Sequence, residues 1–312
     1  MMNYTTEERS LAERLKPRLE IERYFERVGH TYRHGALDRF FERNVTRPLL
    51  RFGLKTAGLY EQGVRNALNV STKRVRLEFP TLPATFDGFQ ILQISDFHID
   101  GTDGLDEAIE RALSGLEADL CVLTGDYRFE DYGDCEAVYP PMRRLVHSIR
   151  SRQGIYGILG NHDSGEIAHA LEDLGVRMLV NEAAEIERGG EAVWLIGVDD
   201  SFDFRCDDLP AALAGVPRDA FKILLSHSPE IYAEASSEGI QLYLTGHTHA
   251  GQIRVPGIGA VKHNARCPRS MNYGLWRHRG TQGYTSAGVG CSGVPVRFNC
   301  PPEIVLIELA RG

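Results

Sequence analysis

Residues 242–249, LYLTGHTH, decide the fold of this chain. The apolar run at 242–244 is typical of a short buried strand, and a glycine lies between its end and two histidines. His247 and His249 are one residue apart, so both imidazoles leave the end of the same strand. Two imidazoles alone do not complete a metal site, because a bound cation takes four or more ligands. The stretch therefore predicts further ligands from other strands.

The same pattern occurs at four other places in the sequence. In each, an apolar run ends in a small residue, and a side chain that can bind a metal follows it. The side chains that follow these runs are Asp96 and His98, then Asp126, then Asn161, His162 and Asp163, and finally His227. Imidazole, carboxylate and amide oxygen together favour Mn²⁺, Fe or Zn²⁺, since an all-oxygen cage for Ca²⁺ or Mg²⁺ would not use four histidines. A lone histidine is more often structural, but five such motifs in one context predict a metal centre.

The composition is that of a globular protein with room for one large domain and a smaller appendage, at 312 residues with 42% hydrophobic and 25% charged content. No apolar stretch approaches the ~18 residues of a spanning helix, and the polar start has no secretory signal. We therefore expect a cytoplasmic protein. The six cysteines show no CxxC spacing and are expected to be reduced packing thiols.

Charge divides the chain into two parts. Residues 1–76 hold 16 Lys and Arg against 9 Asp and Glu, a balance of +7, whereas the remainder carries −15. Residues 1–72 are predicted to form a basic helical extension. The catalytic domain is predicted at 73–312, where apolar and polar residues begin to alternate as in a half-buried strand. The acidic balance of this second part argues against nucleic acid as a partner.

The extension carries an apolar stripe and a basic stripe. The apolar residues that lie close to one helical face are Leu50, Leu54, Ala57, Val64 and Leu68. The basic residues that step by four along another face are Arg43, Arg47, Arg51 and Lys55. Two interpretations stay open. The apolar stripe packs on the catalytic domain, or the extension lies on an anionic membrane surface, where each cation contributes roughly 1 kcal/mol.

The order of the predicted elements indicates the architecture. Segments typical of strands and of helices alternate through the first part of the catalytic domain, but residues 251–309 contain strands and turns without helices. This order predicts an α/β protein in which two sheets pack together and the helices lie outside them.

Taken in order, the motifs resemble those of the calcineurin-like metallophosphoesterases. They are Asp96-x-His98, Gly125-Asp126, Gly160-Asn161-His162-Asp163, His227 and Gly246-His247-x-His249, and the resemblance covers residues from about 77 to 309. It implies a four-layer α/β/β/α sandwich with two divalent metal ions at the strand ends. The ligands implied for the first ion are Asp96, His98, Asp126 and His249. Those implied for the second are Asp126, Asn161, His227 and His247, so that Asp126 bridges the two ions.

The resemblance also implies a reaction. Two cations roughly 3.5–4 Å apart make hydroxide available for attack on phosphorus and neutralise the phosphoryl oxygens. Mn²⁺ is the expected metal, with Fe or Zn²⁺ as alternatives. His162 matches the family histidine that lies beside the metals without binding them, so we expect it to stabilise or protonate the leaving oxygen.

Two positions near His162 call for separate expectations. The protein phosphatases of this fold orient that histidine with an acidic residue three positions after the Asp of their Gly-Asp motif, where this chain has Phe129. Asp163 and Glu130 are therefore the candidates for orienting His162. Arg128 is predicted to contact a substrate phosphate, and a surface arginine is the alternative.

Two further segments resemble one bacterial branch of the family, FDGF at 86–89 and GCSGVPVRFNCPPE at 290–303. That branch includes membrane-associated phosphodiesterases and a UDP-2,3-diacylglucosamine pyrophosphatase of lipid A synthesis, and many of its members carry an N-terminal membrane anchor. The resemblance implies hydrolysis of a phosphodiester or pyrophosphate bond, and together with the basic extension it favours a lipid-linked nucleotide as the substrate. Because this chain has a charged helical extension in place of the anchor, the expected attachment is peripheral, on the inner face of the cytoplasmic membrane. One alternative is a phosphodiesterase or phosphatase that acts on small soluble nucleotides. An alternative of another class is an inactive metal-bound scaffold.

Overall fold

The computed structural model describes residues 9–28, 42–260 and 264–312, which contain fourteen strands. The strands are β1 (Ser71–Phe79), β2 (Gln90–Ile94), β3 (Leu120–Leu123), β4 (Ile155–Gly157), β5 (Val176–Met178), β6 (Glu182–Arg188), β7 (Glu191–Gly197), β8 (Phe221–Leu225), β9 (Leu242–Thr245), β10 (Arg254–Val255), β11 (Gly259–Ala260), β12 (Gly274–His278), β13 (Thr281–Thr285) and β14 (Glu303–Arg311). Twelve of them form two six-stranded sheets, and β10 pairs with β11 in a separate antiparallel hairpin.

The two sheets present their parallel strands in the same way. The first has the order β1-β14-β2-β3-β4-β5, and the second has the order β12-β13-β9-β8-β7-β6. Strands β2 to β5 are parallel neighbours, as are β7, β8, β9 and β13. Strand β14 lies between β1 and β2, parallel to the first and antiparallel to the second. Every predicted metal ligand follows β2, β3, β4, β8 or β9, so all of them leave the carboxyl ends of parallel strands.

Nine α-helices lie in the described part of the chain. They are α1 (Leu11–Arg14), α2 (Lys16–Val28), α3 (Arg47–Thr56), α4 (Tyr60–Ala67), α5 (Leu105–Leu113), α6 (Tyr139–Ser148), α7 (Gly165–Asp173), α8 (Leu209–Ala212) and α9 (Tyr232–Ser237). A π-helical turn, Glu42–Thr46, leads directly into α3. Pro48 stands in the first turn of α3, where its missing N–H has no helical partner to lose.

Alternating side chains of β2 show how the layers are built. Ile91 lies in the apolar cluster between the two sheets, together with Ile223 of β8. Leu92 points to the opposite face, into a cluster with the apolar sides of α5, α6 and α7. On the far face of the second sheet, Leu224 packs with Leu209 of α8. The order helices, sheet, sheet, helices confirms the predicted α/β/β/α sandwich.

The N-terminal helices are placed in two different ways. Leu11 of α1 and Leu15, which follows it, are buried in the cluster on the outer face of the first sheet. No residue of α3 is buried. Within the predicted apolar stripe, Leu54 and Val64 pack against a small cluster that contains Val296, and Leu68 packs against the cluster on the outer face of the first sheet. The interpretation that the stripe packs on the catalytic domain therefore holds for these three side chains.

A different face of α3 is open to solvent. Leu49 and Phe52 share that face at helical spacing, Val45 lies in the π-helical turn just before them, and all three are exposed. None of the helices in the described ranges combines the length and the apolar content of a membrane-spanning segment. Strand β1 begins at Ser71, close to the predicted domain boundary. The division of the chain at residue 72 and the cytoplasmic location stay predictions.

Candidate metal centre

Most of the predicted ligands occupy left-handed backbone. This region favours glycine, and a residue with a side chain held there costs on the order of 1–3 kcal/mol, so it persists only where the surroundings enforce it. The ligands with positive φ are Asp96 (53°), His98 (39°), Asp126 (58°), His247 (69°) and His249 (48°). Sharp turns after the strands thus aim these side chains back over the strand ends, which is the kind of strain that collects at functional sites.

The first group of side chains, called cluster one here, consists of Asp96, His98 and His249, and all three are buried. The Nε2 atoms of His98 and His249 lie 3.1 Å apart, and His249 Nε2 lies 3.4 Å from Asp96 Oδ1. Donor atoms that bind one cation at about 2.1 Å are roughly 3.0–3.4 Å from one another. The spacing in cluster one is therefore that of neighbouring ligands around a single ion.

The second group, called cluster two, consists of Asp126, His227 and His247, with Asn161 beside them. His227 Nε2 lies 3.1 Å from Asp126 Oδ2, and Asn161 Oδ1 lies 2.9 Å from His247 Nδ1. The amide of Asn161 donates through Nδ2 to Asp203 Oδ2 at 3.0 Å, which leaves its oxygen facing the cluster. The same spacing argument therefore applies to a second ion.

Asp126 lies between the two clusters. Its Oδ2 is 3.5 Å from His98 Nε2 in cluster one and 3.1 Å from His227 Nε2 in cluster two. Its other oxygen, Oδ1, accepts the backbone N–H of His162 at 2.9 Å. One carboxylate oxygen thus faces both groups, which is the placement that a bridging ligand needs.

The electrostatics of the two clusters fit divalent cations. His227 Nε2 is buried and has no hydrogen-bond partner, although Asp126 Oδ2 is close. Burial, the largest single influence, would lower the pKa of His227, but the charges of Asp126 and Asp96 and the hydrogen bonds of the ring together outweigh it and raise this pKa to about 10. Burial also raises the pKa of Asp96. The buried carboxylates thus draw positive charge into the site, and cations held by these donors would supply it. The individual ligand roles stay predictions.

Backbone carbonyls fix the rings of three of the four clustered histidines. His98 and His227 each place Nδ1 2.7 Å from a carbonyl oxygen, of Arg128 and Thr124 respectively. His247 instead places Nε2 2.6 Å from the carbonyl oxygen of Asn264. Because one N–H stands on the nitrogen that contacts the carbonyl, the other ring nitrogen of each histidine faces the cluster and is the one that would bind a cation, after losing any proton it carries.

His249 is supported differently. Its Nδ1 lies 3.5 Å from Nη2 of Arg297, a fully buried guanidinium, rather than facing a carbonyl. Arg297 also donates to the carbonyl oxygens of Ala287, Gly288 and Gly290. The loop after β13 and the ring of His249 are therefore held around one buried cation.

His162 is oriented by a backbone carbonyl. Its Nδ1 lies 2.7 Å from the carbonyl oxygen of Phe129, so the expectation that Asp163 or Glu130 would orient it is wrong. The carboxylate of Asp163 instead accepts the N–H groups of residues 126, 127 and 160, and Glu130 lies 3.6 Å from Arg47. A carbonyl can take the place of an acidic residue because the ring needs only an acceptor for Nδ1–H. Burial lowers the pKa of His162 to about 3.

Arg128 binds the protein backbone. Its side chain is buried, and it donates through Nε to the carbonyl oxygen of His162 and through Nη1 to that of Gly133 at 2.9 Å. The alternative of a surface arginine is therefore wrong, since these bonds tie Arg128 to the loop of His162. Contact between Arg128 and a substrate phosphate stays a prediction.

Sequence reasoning missed several residues that support the site. Asp203 holds the amide of Asn161, and Arg18 of α2 is buried against Asp199 and the backbone of residues 160–163. Residues 199–203 follow β7 in the same way that the predicted ligands follow their strands, and this pattern was a usable signal. Arg18 gave no signal, because it is one charge among many in a basic segment.

Comparison with known proteins finds matches in sequence and in structure. Residues 89–251 match the family model described as calcineurin-like phosphoesterase. Phosphodiesterase YaeI of Escherichia coli strain K12 is 30% identical over 233 residues, which cover 71% of this chain and 82% of that protein. Metallophosphoesterase YkuE of Bacillus subtilis strain 168 is 28% identical over 252 residues, covering 77% and 85%. Among solved structures, the phosphopantetheinyl hydrolase PptH of Mycobacterium tuberculosis aligns with a TM-score of 0.43 at 10% identity, over 65% of this chain and 91% of that one.

Proposed function

The chain belongs to the calcineurin-like phosphoesterase family and is a metal-dependent phosphoesterase; on that premise we propose that it hydrolyses a phosphodiester or pyrophosphate bond in a lipid-linked nucleotide, at the surface of a membrane. UDP-2,3-diacylglucosamine is the first candidate substrate. The observation that carries the proposal is the position of α3, whose apolar face is exposed beside the loop that orients His162. Membership of the family sets aside the alternative of an inactive metal-bound scaffold.

The residues of the two clusters have defined parts in this reaction. They would hold a pair of divalent cations, with Mn²⁺ as the proposed metal, which when bound would make hydroxide available near neutral pH and neutralise phosphoryl oxygens. Asp126 keeps its charge between the clusters, because its Oδ2 faces both. The carbonyl of Phe129 holds one proton of His162 on Nδ1, so Nε2 is the atom that would take a proton from the attacking water and pass it to the leaving oxygen. Arg128 holds the backbone of His162 in place.

Helix α3 begins at the rim of this site. Arg47 in its first turn lies 3.6 Å from Glu130, and its guanidinium is 5.7 Å from the centre of the Phe129 ring. The carbonyl of Phe129 is the group that contacts His162. A substrate bound at the clusters would therefore have α3 as a neighbour on this side.

The exposed face of α3 is suited to lipid. Leu49 and Phe52 are 66% and 67% exposed, and Val45 lies one turn before them. Contiguous apolar surface of this kind costs free energy in water and marks a contact site. Arg51 and Lys55 are exposed on the flank of the same helix. An apolar face with basic flanks fits a bilayer that contains anionic lipid, because the apolar side chains enter the interface and the cations remain at the headgroups.

Vesicle flotation tests the membrane part of the proposal. We expect the intact protein to float with phosphatidylcholine vesicles that contain phosphatidylglycerol, to bind pure phosphatidylcholine poorly, and to detach as salt screens the charges. Replacing Leu49 and Phe52 with serine, or Arg51 and Lys55 with glutamine, should reduce binding. Arg47 is left unchanged because it contacts the loop that orients His162. Leu275→Ser, at an exposed leucine on β12, is the matched control and should float like the intact protein.

Product analysis tests the substrate. The Mn²⁺-loaded protein is offered UDP-2,3-diacylglucosamine in anionic vesicles, cyclic nucleotides and a soluble aryl phosphodiester, and the products are identified by mass spectrometry. We expect the lipid substrate to be preferred, and the Leu49 and Phe52 variant to lose this preference while it still hydrolyses the aryl diester. Equal flotation on both kinds of vesicle, together with a preference for soluble nucleotides, would favour the alternative and make the face of α3 a protein contact.

A further inference from the structure

We propose that Arg18, in the N-terminal helix α2, is a positioning residue for cluster two. Arg18 lies outside the segment that matches the family model, residues 89–251. The inference rests on the ligand roles proposed for cluster two and is independent of the identity of the substrate. Its content is that α2 holds the loop at 160–163, and with it Asn161, in the position that a metal requires.

Arg18 is buried as part of a dedicated arrangement. Its side chain is fully buried, one turn along from the buried Leu15, and a buried guanidinium is costly unless it is paired. Arg18 forms an ion pair with Asp199, which is also buried, and its Nε lies 3.4 Å from Glu22. The ring of Phe204 lies 4.0 Å from its Cζ. The ion pair with Asp199, the contact with Glu22 and the ring of Phe204 thus hold the guanidinium of Arg18 in place.

The remaining nitrogen of the guanidinium, Nη2, forms hydrogen bonds with both ends of the loop at 160–163. Nη2 donates to the carbonyl oxygens of Gly160 and Asp163, each at 2.6 Å. Glu22, one turn further along α2, accepts the N–H of Gly165 at 2.9 Å. Helix α2 is therefore hydrogen-bonded to the residue before Asn161, to the residue after His162, and to Gly165 two positions further on.

The other side of the loop packs on the bridging carboxylate. Gly160 lies so close to Asp126 that any side chain at position 160 would collide with it. The carboxylate of Asp163 accepts the N–H groups of Asp126 and Tyr127, at 2.8 Å each. A shift of the loop would therefore move Asn161 Oδ1 away from its place 2.9 Å from His247 Nδ1.

Cluster one provides an internal comparison, because its own three residues lie outside the 160–163 loop and only the shared Asp126 contacts that loop. If Arg18 positions the loop, its loss should weaken the ion that depends on Asn161 much more than the other ion. If Arg18 only stabilises the fold, its loss should lower the melting temperature without distinguishing between the ions. Lysine is the informative replacement, since it keeps the charge but cannot form the forked contacts of a guanidinium.

The experiment is calorimetric titration of metal-free protein with Mn²⁺, which gives the number of ions and their separate affinities. Three variants are compared with the intact protein. Arg18→Lys should weaken the ion that depends on Asn161 by about 10–100-fold, the usual effect of losing a residue that supports a ligand, and affect the other ion much less. Asn161→Ala should weaken the same ion. Leu15→Ala, which removes packing from the same segment, should lower the melting temperature and leave both affinities unchanged.

The possible outcomes distinguish an error in the role of Arg18 from an error in the ligand roles proposed for cluster two. If Asn161→Ala weakens one ion and Arg18→Lys weakens neither, or both equally, the positioning role of Arg18 is wrong. If Asn161→Ala changes nothing, the ligand assignment of cluster two is wrong. Should Arg18→Lys not fold, Glu22→Ala tests the same contacts from a partly exposed position, and unchanged affinity for the Asn161-dependent ion would overturn the proposal.

Discussion

Cluster one and cluster two use the same kinds of side chain, but different parts of the chain support them. In cluster two, both ring contacts are to carbonyls, and the loop of Asn161 is bonded to a helix from the N-terminal extension. In cluster one, His98 faces a carbonyl but His249 faces the buried guanidinium of Arg297. The difference teaches that similar donor groups can rest on different supports, and it predicts that the residues behind the two clusters decide how firmly each would hold an ion.

The largest expected effect comes from the residue that both clusters share. Asp126→Asn should remove both ions, because a neutral amide cannot balance two adjacent cations. Turnover should then fall further than the ~10²–10⁴-fold loss usual for a missing general acid or base. Metal analysis of the purified variant decides this, and two retained ions with near-normal turnover would show that Asp126 bridges nothing.

The next effect should separate chemistry from metal binding. His162→Ala is expected to keep both ions and to lose about 10²–10⁴-fold in turnover, since the ring is proposed to act on the leaving oxygen. Metal content and turnover are measured on the same preparation, with His247→Ala as the comparison. A loss of metal equal to that of His247→Ala would make His162 a ligand.

A smaller effect should distinguish cluster one from cluster two. Arg297 contacts three carbonyl oxygens and the ring of His249, and the single ammonium of a lysine cannot make all of these contacts. Because the ring of His249 would then be held less firmly, Arg297→Lys should weaken binding of the ion of cluster one by about 10–100-fold. The ion that depends on Asn161 should be unaffected in the same Mn²⁺ titration. Arg152→Lys, at an exposed ion pair, is the control. Equal weakening of both ions would mean that Arg297 only stabilises the fold.

The smallest effect is expected at Cys300. All six cysteines are free, as expected, and the thiol of Cys300 donates to the carbonyl oxygen of His249 at 3.3 Å. An S–H to oxygen bond contributes about 0.5–1 kcal/mol, so Cys300→Ala should weaken the ion of cluster one by roughly two- to fivefold. A larger loss, measured by the same titration, would mean that the thiol supports His249 more strongly than a weak hydrogen bond can.

The sequence was sufficient for the layers and for the residues that meet at the strand ends. The ligand positions could be predicted because the same order recurs five times: an apolar run, a small residue and a side chain that can bind a metal. Strand β1 could be predicted because apolar and polar residues alternate along it. Val75, Leu77 and Phe79 are buried there, whereas Arg74 and Arg76 are exposed. Local patterns carry this information because a strand and the turn after it are local structures. The carbonyl of Phe129 could not be found in this way, since every residue has a carbonyl and only the fold selects one.

The supporting residues were hidden for a related reason. Arg18 and Asp199 are 181 positions apart, and no local pattern distinguishes a buried arginine from a solvated one. The same limit applies to α3. Its spacing predicted an apolar stripe through Leu50 and Leu54, but Leu54 packs inward while Leu49 and Phe52 are the exposed side chains. Which face of an amphipathic helix is covered depends on the surface beneath it.

The position of β14 between β1 and β2 has a consequence for synthesis on the ribosome. Arg76 of β1 and its partner Glu308 of β14 are 232 residues apart in the sequence. Because a ribosome adds about 5–20 residues per second, β14 is synthesised roughly 12–46 s after β1. During that time the backbone N–H and C=O groups of β1 that will pair with β14 have no partner strand, and such groups can pair with strands of other chains. Arg74, Arg76 and Glu78 line the solvent side of β1. These charges oppose mispairing of the nascent chain until the partner strand emerges.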